Sequence, residues 1–144
     1  MIVLDTDILT IIQYGDGEIY QRLRLRLRAA LPEPVCVTIV TVEEQMRGWL
    51  AWIAKAKGPE HQIEAYARLH ALLKDFQARP VLDFDGFAAG EFQQLQRAKV
   101  RIGTMDLKIA AIVLANNGRL ISRNLRDFQK VPGLHVEDWT RETR

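Results

Sequence analysis

The sequence predicts an α/β domain, a three-layer α/β/α sandwich around a mostly parallel central sheet of four to five strands. Three observations carry that prediction. Short β-branched runs alternate with longer segments of helical period. The segment Met105 to Asn116 is apolar nearly all round, which places it in an interior. The 144 residues suit one domain, 1–144, with no repeat, low-complexity stretch or linker to divide them.

Taken in order, Ile2-Val3-Leu4 reads as a buried strand that ends on Asp5. Thr6 or Asp7 is placed to cap a short helix through Ile8, Leu9, Ile11 and Ile12. Tyr14 to Gly17 is a turn. Between Glu18 and Ala30 arginines alternate with leucines, a strand period. Ile19, Leu23 and Leu27 nevertheless fall at helical spacing, and Ala29-Ala30 favours helix, so a helix is expected until Pro32 and Pro34. Val35 to Val40 is a second strand. Thr41 with Glu44 resembles a capping box that opens the next helix, which carries Met46, Trp49, Leu50, Trp52 and Ile53. Gly58-Pro59 breaks it, and a long helix follows from about residue 60 to 78. Val81-Leu82 is a third strand. A helix capped by Asp85 follows. Gly103-Thr104 then opens the apolar helix, with Thr104 as its expected cap, and Asn117-Gly118 ends it. Residues 119–122 and 134–136 complete the sheet.

Composition narrows the function classes. The net charge of +2 is too small to announce a nucleic-acid binder by itself. The lone cysteine, Cys36, sits in an apolar run as a buried thiol and excludes an intramolecular disulfide. The opening residues carry a charge early and lack a basic leader, so no secretory signal is read there. No apolar stretch suffices to span a bilayer, and a cytoplasmic protein is expected.

Ligands of an open parallel sheet bind beyond the C-terminal ends of its strands. The polar groups predicted at those ends are Asp5 with Asp7, Glu43 and Glu44, Asp106 in the first turn of the apolar helix, and Asn124 with Asp127. Carboxylates gathered on one rim repel one another and call for cations. Oxygen donors without a His/Cys cluster select Mg²⁺ or Mn²⁺ over zinc. Such a site suits hydrolysis of a phosphodiester by activated water. Each acid also has a plain structural use: Asp5 and Glu44 as caps, Asp106 as a partner of the helix dipole. Their joint placement is what carries the functional reading.

Four segments resemble the PIN-domain family, in its VapC-type toxin branch. They are Ile2-Val3-Leu4-Asp5-Thr6-Asp7; Thr41-Val42-Glu43-Glu44-Gln45-Met46-Arg47-Gly48; Gly103-Thr104-Met105-Asp106; and Leu120-Ile121-Ser122-Arg123-Asn124-Leu125-Arg126-Asp127-Phe128, with Val131-Pro132-Gly133. In the second motif the family's acid stands four positions before the glycine, which selects Glu44. The resemblance implies a Mg²⁺- or Mn²⁺-dependent endoribonuclease, a homodimer neutralised by a small antitoxin. Asp5, Glu44 and Asp106 would be its catalytic, metal-holding residues, with Asn124 and Asp127 as weaker ligands. Many relatives carry an acid where this chain has Asn124.

Arg123 and Arg126 are candidates for the substrate phosphate, and the arginines of residues 22–28 form a further basic stripe. Trp49 and Trp52 stand either in the core or on an antitoxin or dimer surface. Two rival functions are a PIN-like module that binds RNA or protein without turnover, and a haloacid-dehalogenase-like phosphatase suggested by Asp5-Thr6-Asp7. The second lacks the later acidic motif that it needs.

Overall fold

The computed structural model describes residues 1–142. Five short strands form one sheet: β1 (Ile2–Leu4), β2 (Val35–Thr38), β3 (Val81–Leu82), β4 (Arg119–Ile121) and β5 (His135–Glu137). Their order is β3-β2-β1-β4-β5 and every pairing is parallel. The chain therefore leaves β1 toward one edge and returns to its other side with β4. Between the C-terminal ends of β1 and β4 lies the switch point where an open parallel sheet binds ligands.

Seven helices connect the strands: α1 (Thr6–Tyr14), α2 (Gly17–Ala30), α3 (Ile39–Lys55), α4 (Pro59–Gln77), α5 (Gly86–Arg97), α6 (Thr104–Ala115) and the single turn α7 (Leu125–Phe128). Alternate residues of β1 face opposite sides, as a pleated strand requires. Ile2 and Leu4 join Ile8, Leu9 and Leu23 of α1 and α2 on one side. Val3 joins Ala110, Val113 and Phe128 of α6 and α7 on the other. Two cores on two faces of one sheet make the expected three layers. Within α6, Leu107 and the unbroken run Ile109 to Val113 are buried, as the all-round apolar pattern requires.

The arginine-rich segment is helical. Leu23 points into the core while Arg24 and Arg28 stay exposed. Arg22 reaches the Thr140 carbonyl and so ties α2 to the chain's end. Trp139 fills the core beside it and donates its indole N–H to Glu137 Oε2 at 2.6 Å. Cys36 is buried. At the α3–α4 junction Gly58 adopts φ +85°, a left-handed turn that glycine takes without strain, and Pro59 starts the next helix.

Three local expectations are corrected. The second strand ends at Thr38, not Val40, and the cap of α3 falls three residues before the expected one at Thr41. Thr38 is the cap: its hydroxyl accepts from the Thr41 N–H at 3.2 Å, while Thr41 is buried inside the first turn. The β-branched Ile39-Val40 prolonged the apparent strand. Asp5 rather than Thr6 or Asp7 caps α1, accepting from the Thr6 N–H at 2.8 Å. Thr104 is the first helical residue of α6, behind Gly103, rather than its cap. Asp85 caps α5 as expected.

Candidate active site at the sheet switch point

Asp5 follows the last residue of β1 and is only 6% exposed. Its Oδ1 accepts from the Thr6 N–H, and its Oδ2 accepts from the Ser122 hydroxyl at 2.7 Å. Ser122 is wholly buried just past β4, so this bond spans the switch point. Burial pushes the Asp5 carboxyl up to about 7. The neighbouring Asp7 and Asp106 charges act in the same direction, and the bonds from Ser122 and Thr6 only partly offset them.

The remaining acids arrive from other elements. Asp106 stands in the first turn of α6; burial, then the charges of Glu44, Asp127 and Asp7, raises its carboxyl above the usual range. Glu44 projects from α3, and its Oε1 accepts from the Thr6 hydroxyl at 3.0 Å. A proton chain fixes this contact: with Thr6 donating to Glu44, the Thr41 hydroxyl at 3.1 Å is the donor to Thr6. Glu44 is thus freed from the capping role expected of it.

Asn124 caps α7 and spans two acids. Its Nδ2 lies 3.1 Å from Asp127 Oδ2 and 3.5 Å from Asp106 Oδ2, while its backbone N–H donates to Ser122 Oγ. The Asn124 amide holds the Asp127 carboxyl below its usual range. Asp7 accepts from the Arg123 N–H at 3.1 Å through Oδ2, whereas its buried Oδ1 has no hydrogen-bond partner among the described residues. Burial raises the Asp7 carboxyl too. Arg123 and Arg126 remain exposed beside these acids, and their charges favour the ionised Asp7 and Asp127 respectively.

Asp106 thus lies within electrostatic reach of Asp5, Asp7, Glu44 and Asp127. Sequence reasoning missed the polar residues that orient these acids, Ser122 and Thr6, and put Asp7 on the rim without a ligand role. The visible signal for Ser122 was a polar residue ending an apolar strand run. Among the described residues no three Asp, Glu, His or Cys side chains close on a single point. No salt bridge among the described residues reaches Asp5, Glu44 or Asp106, whereas Asp127 has Lys130 at 3.5 Å. The orphaned Asp7 oxygen and the all-oxygen donor set fit a hard divalent cation. Mg²⁺ in particular uses few protein carboxylates and completes its shell with water and phosphate oxygens.

Trp49 and Trp52 stand outside the core. Trp49 is half-buried and Trp52 is 41% exposed. Their rings stack on the wall of an open cavity of about 530 Å³ that Glu44 and Thr6 also line. Among the described residues no helix is long and apolar enough to cross a membrane.

Comparison with known proteins agrees with this architecture. The chain is 32% identical over 110 residues to the protein named Ribonuclease VapC2 from Haemophilus influenzae (strain ATCC 51907 / DSM 11121 / KW20 / Rd), covering 73% of this chain and 75% of the relative. It is 29% identical over 110 residues to the tRNA(fMet)-specific endonuclease VapC of Salmonella typhimurium, with the same coverage of both chains. Among solved structures it is similar to the DNA-bound VapBC of Salmonella typhimurium, with TM-score 0.71, 25% identity and coverage of 96% and 97%. VapBC-1 of nontypeable Haemophilus influenzae shares the fold at TM-score 0.75 and 22% identity, over 98% of this chain and all of that one. The family description "PIN domain" matches residues 2–134, a span that contains Asp5, Asp7, Glu44, Asp106 and Asp127, and the chain belongs to that family.

Proposed function

We propose that this PIN domain is a divalent-metal-dependent endoribonuclease, the toxin of a type II toxin–antitoxin pair. One observation carries the reading: carboxyl groups from the end of β1, from α3, from α6 and from α7 lie together at the sheet's switch point, buried enough to push Asp5 up to about 7. The relatives named as VapC ribonucleases and the VapBC complexes support it. Asp5, Glu44 and Asp106 would hold Mg²⁺ or Mn²⁺, with Asn124 and Asp127 as weaker partners. When bound, the ion supplies Lewis-acid activation of water and neutralises charge on the phosphate.

The chain's own side chains do the positioning. Ser122 and the Thr6 N–H fix both Asp5 oxygens, so the carboxylate keeps one orientation. The Thr6 hydroxyl does the same for Glu44. Asn124 keeps Asp106 and Asp127 apart at a donor both can use. Arg123 and Arg126, exposed on the same rim, offer cations to the RNA phosphates. A small antitoxin as partner, a homodimer and a cytoplasmic location follow from the family reading.

The test is cleavage of structured RNA by the purified protein with Mg²⁺, with Mn²⁺ and with chelator, beside Asp5→Ala. Metal-dependent cleavage that Asp5→Ala abolishes supports the proposal. Binding of RNA without cleavage under every metal condition favours the non-catalytic module instead.

A further inference from the structure

Beside the carboxylates lies a surface that the chemistry above leaves unused. Tyr14, Trp49 and Trp52 form one aromatic wall. Trp49 and Trp52 stack with centroids 5.3 Å apart and planes 27° apart, and Tyr14 meets Trp49 edge-on at 6.4 Å. The Arg68 guanidinium lies 4.5 Å over the Tyr14 ring. None of these aromatics belongs to either core. A partly exposed tryptophan keeps apolar area in water, a cost that a ligand covering the ring removes.

Three features specify the occupant. The wall carries a near-parallel ring pair, and its two ends, Trp52 and Tyr14, are each exposed, 41% and 42%. Thr6 and Glu44 line both this cavity and the acid crevice, so the two are continuous. The cavity, about 530 Å³, is of the size that holds a small planar ligand, and it carries the polar groups of Gln45 and Thr10 among the aromatics. An RNA strand whose phosphate sits at the carboxylates would carry a base directly to this wall. Stacking on aromatic rings is how proteins hold unpaired bases, and every base has the face it needs. Arg68 at the Tyr14 end pairs with Glu64 at 3.6 Å, an exposed contact that a phosphate would compete for.

We propose that the Tyr14–Trp49–Trp52 wall is a subsite that stacks one unpaired nucleobase of the RNA next to the phosphate at the Asp5–Glu44–Asp106 crevice. The subsite rests on the ribonuclease reading, but its test does not depend on turnover.

The experiment is fluorescence anisotropy with the full chain in Ca²⁺, which neutralises the carboxylates for the phosphate but activates water poorly, with the probe checked to be intact on a gel after each titration. The probe is a labelled single-stranded RNA of mixed sequence, compared with the same strand in a perfect duplex. Wild type, Trp52→Ala and Trp52→Phe are titrated, with circular dichroism as the check of folding. Trp52→Ala is expected to bind the single strand roughly tenfold more weakly, the loss of one stacked base. Trp52→Phe should recover most of that loss, and affinity for the duplex should be the same in all three. Equal affinity of folded Trp52→Ala and wild type for the single strand would overturn the subsite and leave the wall to a protein partner. An equal loss on duplex would overturn it too, because paired bases cannot reach the wall. Cleavage with Mn²⁺, measured separately on the same samples, decides the ribonuclease reading. A Trp52-dependent affinity without cleavage keeps the subsite and removes the nuclease, and cleavage without Trp52 dependence does the reverse.

Discussion

The Ser122 hydroxyl donates to Asp5 Oδ2 across 2.7 Å and ties the end of β4 to the end of β1. The two residues are 117 positions apart in the chain, and their contact closes the switch point of the sheet. Replacing Ser122 with Ala removes this donor and leaves a buried carboxylate oxygen underserved. A loss of about 1–3 kcal/mol of stability is expected in urea unfolding. Weakening of Mn²⁺ binding by about 10- to 100-fold, read by calorimetric titration, is expected with it. An unchanged Mn²⁺ affinity would deny Ser122 its positioning role.

Burial of Asp5 gives the cation-free protein a distinctive pH response. The carboxyl titrates near 3.8 in the unfolded chain and at about 7 in the folded one, so the folded state holds the proton more tightly. Its stabilising contribution is full below about pH 4 and is lost as pH rises through 7, about 4 kcal/mol as an upper bound. Asp5→Asn should be less sensitive to this interval. Urea midpoints from pH 4 to 8 in chelator should therefore fall more for wild type than for Asp5→Asn. Saturating Mn²⁺ should restore wild type at pH 8 and do little for the variant. Parallel curves for the two proteins in chelator would contradict the assignment.

Asn124 stands between two carboxylates as their shared donor. Asn124→Asp replaces that donor with a third negative charge. In chelator the variant should lose about 1–3 kcal/mol in urea unfolding. With Mn²⁺ it should bind the ion more tightly than wild type and recover stability. A variant that is destabilised equally with and without Mn²⁺ would place Asn124 outside any cation's reach.

Thr6→Val keeps the shape of the side chain and deletes the hydroxyl between Thr41 and Glu44. Glu44 then loses its fixed orientation. RNA cleavage should fall by about tenfold or more while the fold survives. Full activity in the variant would show that Glu44 needs no orienting partner.

Much of the site was legible because its acids occupy places that local pattern exposes. Asp5 ends an apolar run, and Asp106 opens the one helix that is apolar all round. The partners that orient the acids were hidden for a physical reason. Thr6 meets Glu44 from 38 residues away, and such contacts follow from strand order, which no local period encodes. The start of α3 was misplaced because β-branched Ile39 and Val40 fit a strand as well as a first helical turn, and only the Thr38 cap decides between them. Trp49 and Trp52 share a helix face at i,i+3, but which face meets α4 and which meets the crevice depends on how the helices dock.

The central claim is that acids from distant segments grip one divalent ion. Electron paramagnetic resonance titration of Mn²⁺ into wild type, Asp5→Asn and Asp106→Asn, with RNA cleavage measured on the same samples, tests it most directly. Either substitution should weaken Mn²⁺ binding by about tenfold or more and remove cleavage. Wild-type Mn²⁺ affinity and undiminished cleavage in Asp106→Asn would contradict it.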